Sequence, residues 1–478
     1  MFLKKLFPLI LGLLLIASCN NKKDSVLIDS VSSFIEGNQK VVSFGSVDYN
    51  QILDKAEYKS IPKLNKILET ELNRLGNSID TKQPVFFALE GPFDSRGNPE
   101  AFYAFFDVVN VDSLAERLSS SGLFIETDGK MKYSADGDLA IGAKGNLAIL
   151  ITKKEKYDGK IALQEAFKQI ETKKDHDKIS KLLKKDGDLV LTANLENLYG
   201  SSNTDLSKLD EGKKKELNDM MKNSYVQTTL NFEKGKIVLK SENQFSDALQ
   251  KRMVFNDKSN VKIEDKLGTG EAKIGVSFDF NMAKLESFID DFAPDLKKEL
   301  TRNRPEAAIA MMVLGDNPLT KVLSGYGGAV IVGTPGVGSF VPDINFNVGI
   351  GKEGKGIFEL MLNQSKTEYV YTITDTDLIA KTPNSGKEST KLVMPDCAKN
   401  FGKGGITGFI DVKGLNVQAF GLPSQYNAVN LIESITFEYN NKGGEFVINF
   451  FNKDQNVLKQ TIDLYVKDIE KTINSLAI

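Results

Sequence analysis

Val85-Phe86-Phe87-Ala88-Leu89-Glu90 and Ala101-Phe102-Tyr103-Ala104-Phe105-Phe106-Asp107-Val108-Val109 are two apolar, aromatic runs separated by Gly91-Pro92 and Arg96-Gly97-Asn98-Pro99. Aromatic runs of strand length, punctuated by Gly and Pro, predict a hairpin with a long loop. The next stretch, Val111 to Leu118, changes to a helical period and stops near Gly122. Hairpins that give way to helices, with few strand–helix–strand alternations, belong to an antiparallel sheet with helices packed on it. The expected class is therefore α+β.

Outward from that hairpin the same vocabulary continues. Before it, Val41–Phe44 reads as a strand. Leu64, Ile67, Leu68, Leu72 and Leu75 mark an amphipathic helix that Gly76-Asn77 closes. After it come short strands at Met131–Tyr133, Leu139–Ile141 and Leu147–Thr152, a charged helical stretch Ile161–Lys185, and a strand at Leu189–Ala193. A Lys- and Glu-rich helix over Leu206–Met221 and the hairpin Val226–Phe232/Ile237–Glu242 follow.

The second half repeats the order. It has a strand at Ile274–Phe280, helices over Met282–Phe292 and Pro305–Val313, and a Gly-rich hairpin in Gly327–Gly351. A helix at Gly356–Leu362, strands at Tyr369–Ile373, Leu378–Lys381 and Ile406–Val412, and the pair Ser434–Tyr439/Glu445–Phe451 follow, then a closing helix Leu458–Leu476. A repeat spacing of roughly 200 residues predicts a tandem duplication, not a short-period solenoid. Two similar halves, residues 41–265 and 266–478, are expected. Val41–Phe44 should match Ile274–Phe280, Leu189–Ala193 should match Ile406–Asp411, and the Val85–Val109 hairpin should match that of Ala329–Gly349. Ile161–Lys185 and Leu206–Met221 have no clear counterpart and read either as solvated helix faces or as partner-contact surfaces.

One local pattern recurs: Asp or Asn, an apolar residue, two variable positions and an aliphatic residue. It stands at Asp48–Ile52, Asn110–Leu114, Asn194–Leu198 and Asp411–Leu415, and begins at Asp279-Phe280-Asn281. A short polar side chain at a strand end can cap the turn into the next helix, and that reading suffices.

The N-terminus carries a different message. Met1-Phe2-Leu3-Lys4-Lys5 is basic, Leu6 to Ile16 is apolar, and Ile16-Ala17-Ser18-Cys19 ends it with small residues and a cysteine. This resembles the lipobox of bacterial lipoproteins. The resemblance implies a signal peptide over residues 1–18, lipidation of Cys19, and a cell-envelope protein held at a membrane, the outer membrane in the Bacteroidota setting. Residues 19–40 are expected to be a tether, with a short helix over Val26–Ile35. Asp24-Ser25-Val26, Asp29-Ser30-Val31 and Asp112-Ser113-Leu114 resemble O-glycosylation sites of Bacteroidota exported proteins.

Composition narrows the remaining possibilities. Of 478 residues, 41% are hydrophobic and 26% charged, the balance of a globular chain. Loss of Lys4 and Lys5 with the signal peptide takes the formal charge from −3 to about −5. That balance argues against nucleic acid as a partner. With Cys19 lipidated, Cys397 is the remaining thiol and an intrachain disulfide has no second partner; a buried, inert thiol is expected.

Catalytic and metal constellations are sparse. His176, the single histidine, lies in the charged run Lys173-Lys174-Asp175-His176-Asp177-Lys178 and reads as solvated. Ser60-Ile61-Pro62-Lys63 matches Ser-x-x-Lys without the Ser-Asp-Asn and Lys-Thr-Gly partners of penicillin-recognising enzymes. Gly333-Thr334-Pro335-Gly336-Val337-Gly338-Ser339 lacks the Gly-Lys-Ser/Thr of a phosphate loop and reads as a hairpin tip. Asp375-Thr376-Asp377 and Asp136-Gly137-Asp138 lack calcium-loop spacing. Absence of tryptophan disfavours a lectin or glycosidase. No catalytic, metal or cofactor residue is assigned.

The lipobox, the duplicated layout, Leu323-Ser324-Gly325-Tyr326-Gly327-Gly328-Ala329-Val330 and Val341-Pro342-Asp343-Ile344-Asn345-Phe346 together resemble a family of uncharacterised Bacteroidota envelope lipoproteins, a domain of unknown function. That resemblance implies location and architecture, not catalytic residues. The expected function is non-enzymatic binding of a protein, glycan or apolar ligand. A hydrolase using carboxylates or Ser/Thr, and a structural spacer, are the alternatives.

Overall fold

The computed structural model describes residues 25–478 except 76, 173–176, 202–208, 294, 297–298, 300–311, 334–342, 365–368, 384–389, 416–423 and 477–478. The fold is α+β. Its elements fall into two compact units, Met1–Asp205 with Met221–Leu239 and Lys453–Ile478, and Leu206–Met220 with Lys240–Asn452.

The chain begins with α1 (Ser25–Gly37), β1 (Val41–Val47), α2 (Tyr49–Ala56), α3 (Pro62–Leu75), β2 (Val85–Glu90), β3 (Ala101–Asp107) and α4 (Val111–Ser120). It continues through β4 (Glu126–Asp128), β5 (Met131–Asp136), β6 (Leu139–Lys144), β7 (Leu147–Lys153), α5 (Gly159–Glu171), α6 (Asp177–Leu183), β8 (Leu189–Asn194) and α7 (Leu195–Ser201). Next come α8 (Glu211–Met221), β9 (Tyr225–Glu233) and β10 (Lys236–Gln244).

Then follow α9 (Asp247–Arg252), β11 (Gly270–Asp279), α10 (Met282–Phe292), α11 (Pro318–Val322), β12 (Leu323–Val332), β13 (Asp343–Ile350) and α12 (Gly354–Gln364). The last elements are β14 (Val370–Ile373), β15 (Asp377–Lys381), β16 (Leu392–Val393), β17 (Gly405–Ile410), β18 (Ile432–Asn440), β19 (Gly443–Phe450) and α13 (Val457–Leu476).

In the first unit the strands run β4-β5-β6-β7-β3-β2-β1-β8-β9, each beside the next, with β10, whose residues from Lys240 on belong to the second unit, beside β9. In the second they run β14-β15-β13-β12-β11-β17-β18-β19. From β6 to β10 the first order matches the second position by position, and β4 and β5 extend the first sheet beyond it. β1 matches β11, β8 matches β17, and the β2–β3 hairpin matches β12–β13, which are the equivalences expected from sequence.

The contents of each half differ from a single cut at 265/266. α13 packs on α2, α3 and β9 within the first unit. Asn456, at its start, donates its side-chain N–H to the carbonyl of Phe232 at 2.8 Å. α8 and residues 240–265 belong to the second unit, although β8 and β9 on either side of α8 belong to the first.

A second correction concerns the tether. Residues 19–40 are not a tether beyond Ser25, because α1 is a core helix. Leu27, Ile28, Val31, Phe34 and Ile35 make one apolar stripe, and none is more than 4% exposed. Phe34 packs its ring 4.7 Å from that of Tyr103 and 5.1 Å from that of Phe105. Among the described residues, folded structure therefore starts at Ser25, ahead of Val41. The Ser30 hydroxyl donates to the Val26 carbonyl inside this helix, so Asp29-Ser30-Val31 is helical backbone.

Three helices, α1, α5 and α6, cover one face of the first sheet. Leu163, Phe167, Ile179 and Leu182 join the α1 stripe over Phe44, Phe86 and Phe105. α4 closes part of the other face with Leu114 and Leu118 against Ala104, Phe106, Ile141 and Leu150. The described parts of Ile161–Lys185, α5 and α6, are thus half of a core layer, and Glu165, Lys168, Glu171, Asp177, Lys178, Lys181 and Lys184 are exposed.

Candidate binding face of the second unit

The second sheet is covered on one face by irregular chain. Ile263 and Leu267 from one segment, and Phe401 from another, pack over Ala272, Val330 and Phe409. Strand alternation puts the neighbours of those core residues on the opposite face. Val276 pairs with Ala329 on one side and Gly408 on the other, so it lies in the middle of the central strand. It is nonetheless 42% exposed. Phe446 on β19 is 36% exposed, and Ile274, Phe278, Ile331, Phe346, Ile406, Ile410, Phe437 and Ile448 on this face are half-buried.

Two glycines flatten the surface. A Cβ at Gly408 would lie 2.2 Å from the Phe437 ring, and one at Gly327 would lie 2.5 Å from the Phe278 ring. Each ring therefore lies across its neighbouring strand instead of standing up from it, as aromatic cover over a strand glycine does. The result is a smooth apolar floor around Val276. α12, which follows β13 as α4 follows β3, leaves Leu360 50% exposed, whereas Leu114 and Leu118 of α4 are buried.

Polar groups sit on the other face and hold the strands in register. Asp377 is 4% exposed and accepts from Lys266 Nζ at 2.5 Å, Thr376 Oγ1 at 2.6 Å, Tyr326 Oη at 2.9 Å and Asn347 Nδ2 at 3.0 Å. Burial works against its charge, but Lys266, Thr376, Asn347 and Tyr326 outweigh it and hold the carboxyl below the ordinary carboxylate range. With four donors satisfied by one carboxylate, this is a structural knot joining β12, β13, β15 and the segment before β11.

A separate groove of about 280 Å³ lies where Asp396–Phe401 crosses β17–β19; Cys397, Glu438, Glu445 and Asn449 are among the residues lining it. Burial, then the nearby Asp411 carboxylate, pushes the Cys397 thiol up to about 11, which leaves it protonated and unreactive at neutral pH. Asn400 donates to Glu438 at 2.8 Å.

The recurring polar pattern is a set of caps. Asp48 accepts from the Gln51 N–H at 3.0 Å and Asn110 from that of Ser113 at 2.9 Å. Asn281 accepts from Lys284 at 3.1 Å and Asn194 from Asn197 at 3.3 Å. Asp411 precedes a short turn without such a bond.

Cys19 and His176 lie outside the described residues, as do residues 334–339 of the Gly-rich tip and residues 305–311 of the helix expected at Pro305–Val313. Ser60 and Lys63 are both exposed and share no buried site. Asp136 and Asp138 flank the β5–β6 turn. Among the described residues no group of three or more His, Cys, Asp or Glu is placed to hold a metal ion. The open face escaped sequence reading because alternation locates two faces of a strand without saying which one is covered.

No family model matches the chain, and no curated protein matches it. Among solved structures, crystal form III of TP0453 is similar at 10% identity and a TM-score of 0.27, over 45% of this chain and 79% of that one. Crystal form I of TP0453 gives 10% identity and a TM-score of 0.25, over 48% and 81%. At such TM-scores the likeness carries neither fold nor function.

Proposed function

We propose that this chain is a lipid-anchored envelope lipoprotein that acts by binding, and that the open apolar face of the second unit is its binding surface. The observation that carries the binding reading is Val276, a central-strand residue paired on both sides and still 42% exposed. A wide apolar face on a soluble unit marks an interaction or ligand site. The occupant would be an apolar ligand or the apolar surface of a partner protein, since Ile, Val and Phe side chains dominate the floor.

The anchor rests on the sequence Ile16-Ala17-Ser18-Cys19. With α1 starting at Ser25, six residue steps separate a lipidated Cys19 from the core, a reach of at most roughly 20 Å. The first unit would then be held close to the bilayer.

Titration with an environment-sensitive apolar dye tests the face. Val276→Glu should weaken dye binding at least fivefold while circular dichroism stays unchanged, and equal binding by the variant would remove the reading. Palmitate labelling tests the anchor: Cys19→Ala should abolish incorporation, and normal labelling would refute it.

A further inference from the structure

α8 leaves the first unit between α7 and β9 and packs in the second, against α9 and α10. Its attachment is unusual in kind. Lys213 Nζ lies 3.1 Å from Glu216 Oε2 and 2.8 Å from Asp291 Oδ1. Arg252 bonds Glu216 through Nη2, and its Nη1 lies 2.9 Å from Asp291 Oδ2. The four charges close a ring of alternating sign across three helices. Both cations also sit over one aromatic ring, Lys213 at 5.6 Å and Arg252 at 5.7 Å from the Phe292 centroid.

The apolar contribution within α8 is small by comparison. Leu217 and Met220 are its buried residues, and an open groove of about 470 Å³ runs along its contact with α9, lined by Gly212, Lys215, Asp219, Met220, Ala248 and Lys251 among others. A helix held by partly exposed charges and two apolar side chains opens more readily than the strands of the second unit's core.

We infer that α8 is a strap held shut by an electrostatic clasp, and that it detaches from α9 and α10 as a unit when ionic strength rises while the β11–β13 core stays folded. Detachment uncovers Leu217, Met220 and the Phe292 ring, so the strap is a built-in switch between a covered and an uncovered apolar patch. The inference is independent of the proposed binding face.

Hydrogen exchange of the full chain reads it directly. Amides of residues 215–221 should lose about tenfold protection between 0.05 M and 1 M sodium chloride, because salt screens partly exposed pairs, while β11 and β12 amides keep theirs. Arg252→Gln should show the low protection at both salt levels. Arg252→Lys, which keeps a positive charge between Glu216 and Asp291, should retain the salt-dependent behaviour. Salt-independent protection of residues 215–221 in the unsubstituted chain overturns the clasp without any variant. Simultaneous loss of β11–β12 protection overturns the strap as a separate unit.

Discussion

Phe34→Ala tests the placement of α1 as core. The ring is 1% exposed and touches two aromatic neighbours. Deleting a buried Phe side chain costs about 3–5 kcal/mol, from lost transfer energy and the cavity left behind. A domain stability of roughly 5–15 kcal/mol makes that loss a large fraction. For a urea m-value of roughly 2–3 kcal/mol/M, a loss near 4 kcal/mol lowers the first unit's midpoint by roughly 1.3–2 M. The two units need separate readouts, since a two-unit chain has no single unfolding transition. Urea titration followed by hydrogen-exchange mass spectrometry supplies them, with β1–β3 peptides for the first unit and β11–β13 peptides for the second. Val26→Ala, at a helix position 52% exposed, is the control and should change stability by no more than about 0.5 kcal/mol. Equal midpoints for Phe34→Ala and Val26→Ala would refute the reasoning, and a shift confined to β11–β13 would refute the assignment of α1 to the first unit.

Acid should act on the second unit through Asp377. Its folded pKa is depressed, so its contribution is complete above the unfolded value near 4 and is lost as pH falls through the lower folded value; Asp377→Asn should flatten the second unit's loss of stability below about pH 4, measured by denaturant midpoints across pH 2–6. The dye, palmitate and salt experiments above complete the set: Val276→Glu weakens dye binding, Cys19→Ala abolishes labelling, and α8 protection falls with salt.

Much of the architecture was legible because it rests on local signals. The strand–turn–strand runs, the caps at Asp48, Asn110 and Asn194, and the period of the helices are all short-range chemistry, whereas the cap at Asn281 lies two residues beyond Asp279, where the pattern begins. Tandem duplication was legible because the order of those signals repeats. The unit boundaries were not, since α8 and α13 read as ordinary helices and only their partners, Asp291 and Arg252 for one and α2 and α3 for the other, assign them. The α1 stripe was legible in its spacing, yet the polar residues after Cys19 drew Ser25–Gly37 into a linker that the burial of Phe34 excludes. The candidate face was the least legible feature. Val276 and Val330 look alike in sequence, and one is 42% exposed while the other is 1% exposed, because what lies over each strand face is set by chain far away.

The shared strand order also bears on why a binding role is proposed for one unit and not both. The strand order from β6 to β10 is that of the second unit, so each sheet presents the same two faces for cover. In the first unit one face takes α1, α5 and α6 and the other takes α4, and large side chains such as Phe105, Ile149 and Leu114 end up at 1% exposure or less. In the second unit irregular chain covers one face, and the helix equivalent to α4 leaves Leu360 in water. Threonine has nearly the shape of valine, suits a strand as well, and tolerates water better. A mid-sheet position exposed to solvent and carrying Val, beside rings laid flat over Gly327 and Gly408, is therefore poorly explained by folding demands alone. Contact with an apolar occupant, as proposed, would account for it. Val276→Thr separates the two explanations: it should leave the second unit's urea midpoint nearly unchanged and weaken dye binding less than Val276→Glu does. If Val276→Thr instead destabilises the unit as a core substitution would, the valine serves the fold and the binding proposal loses its main support.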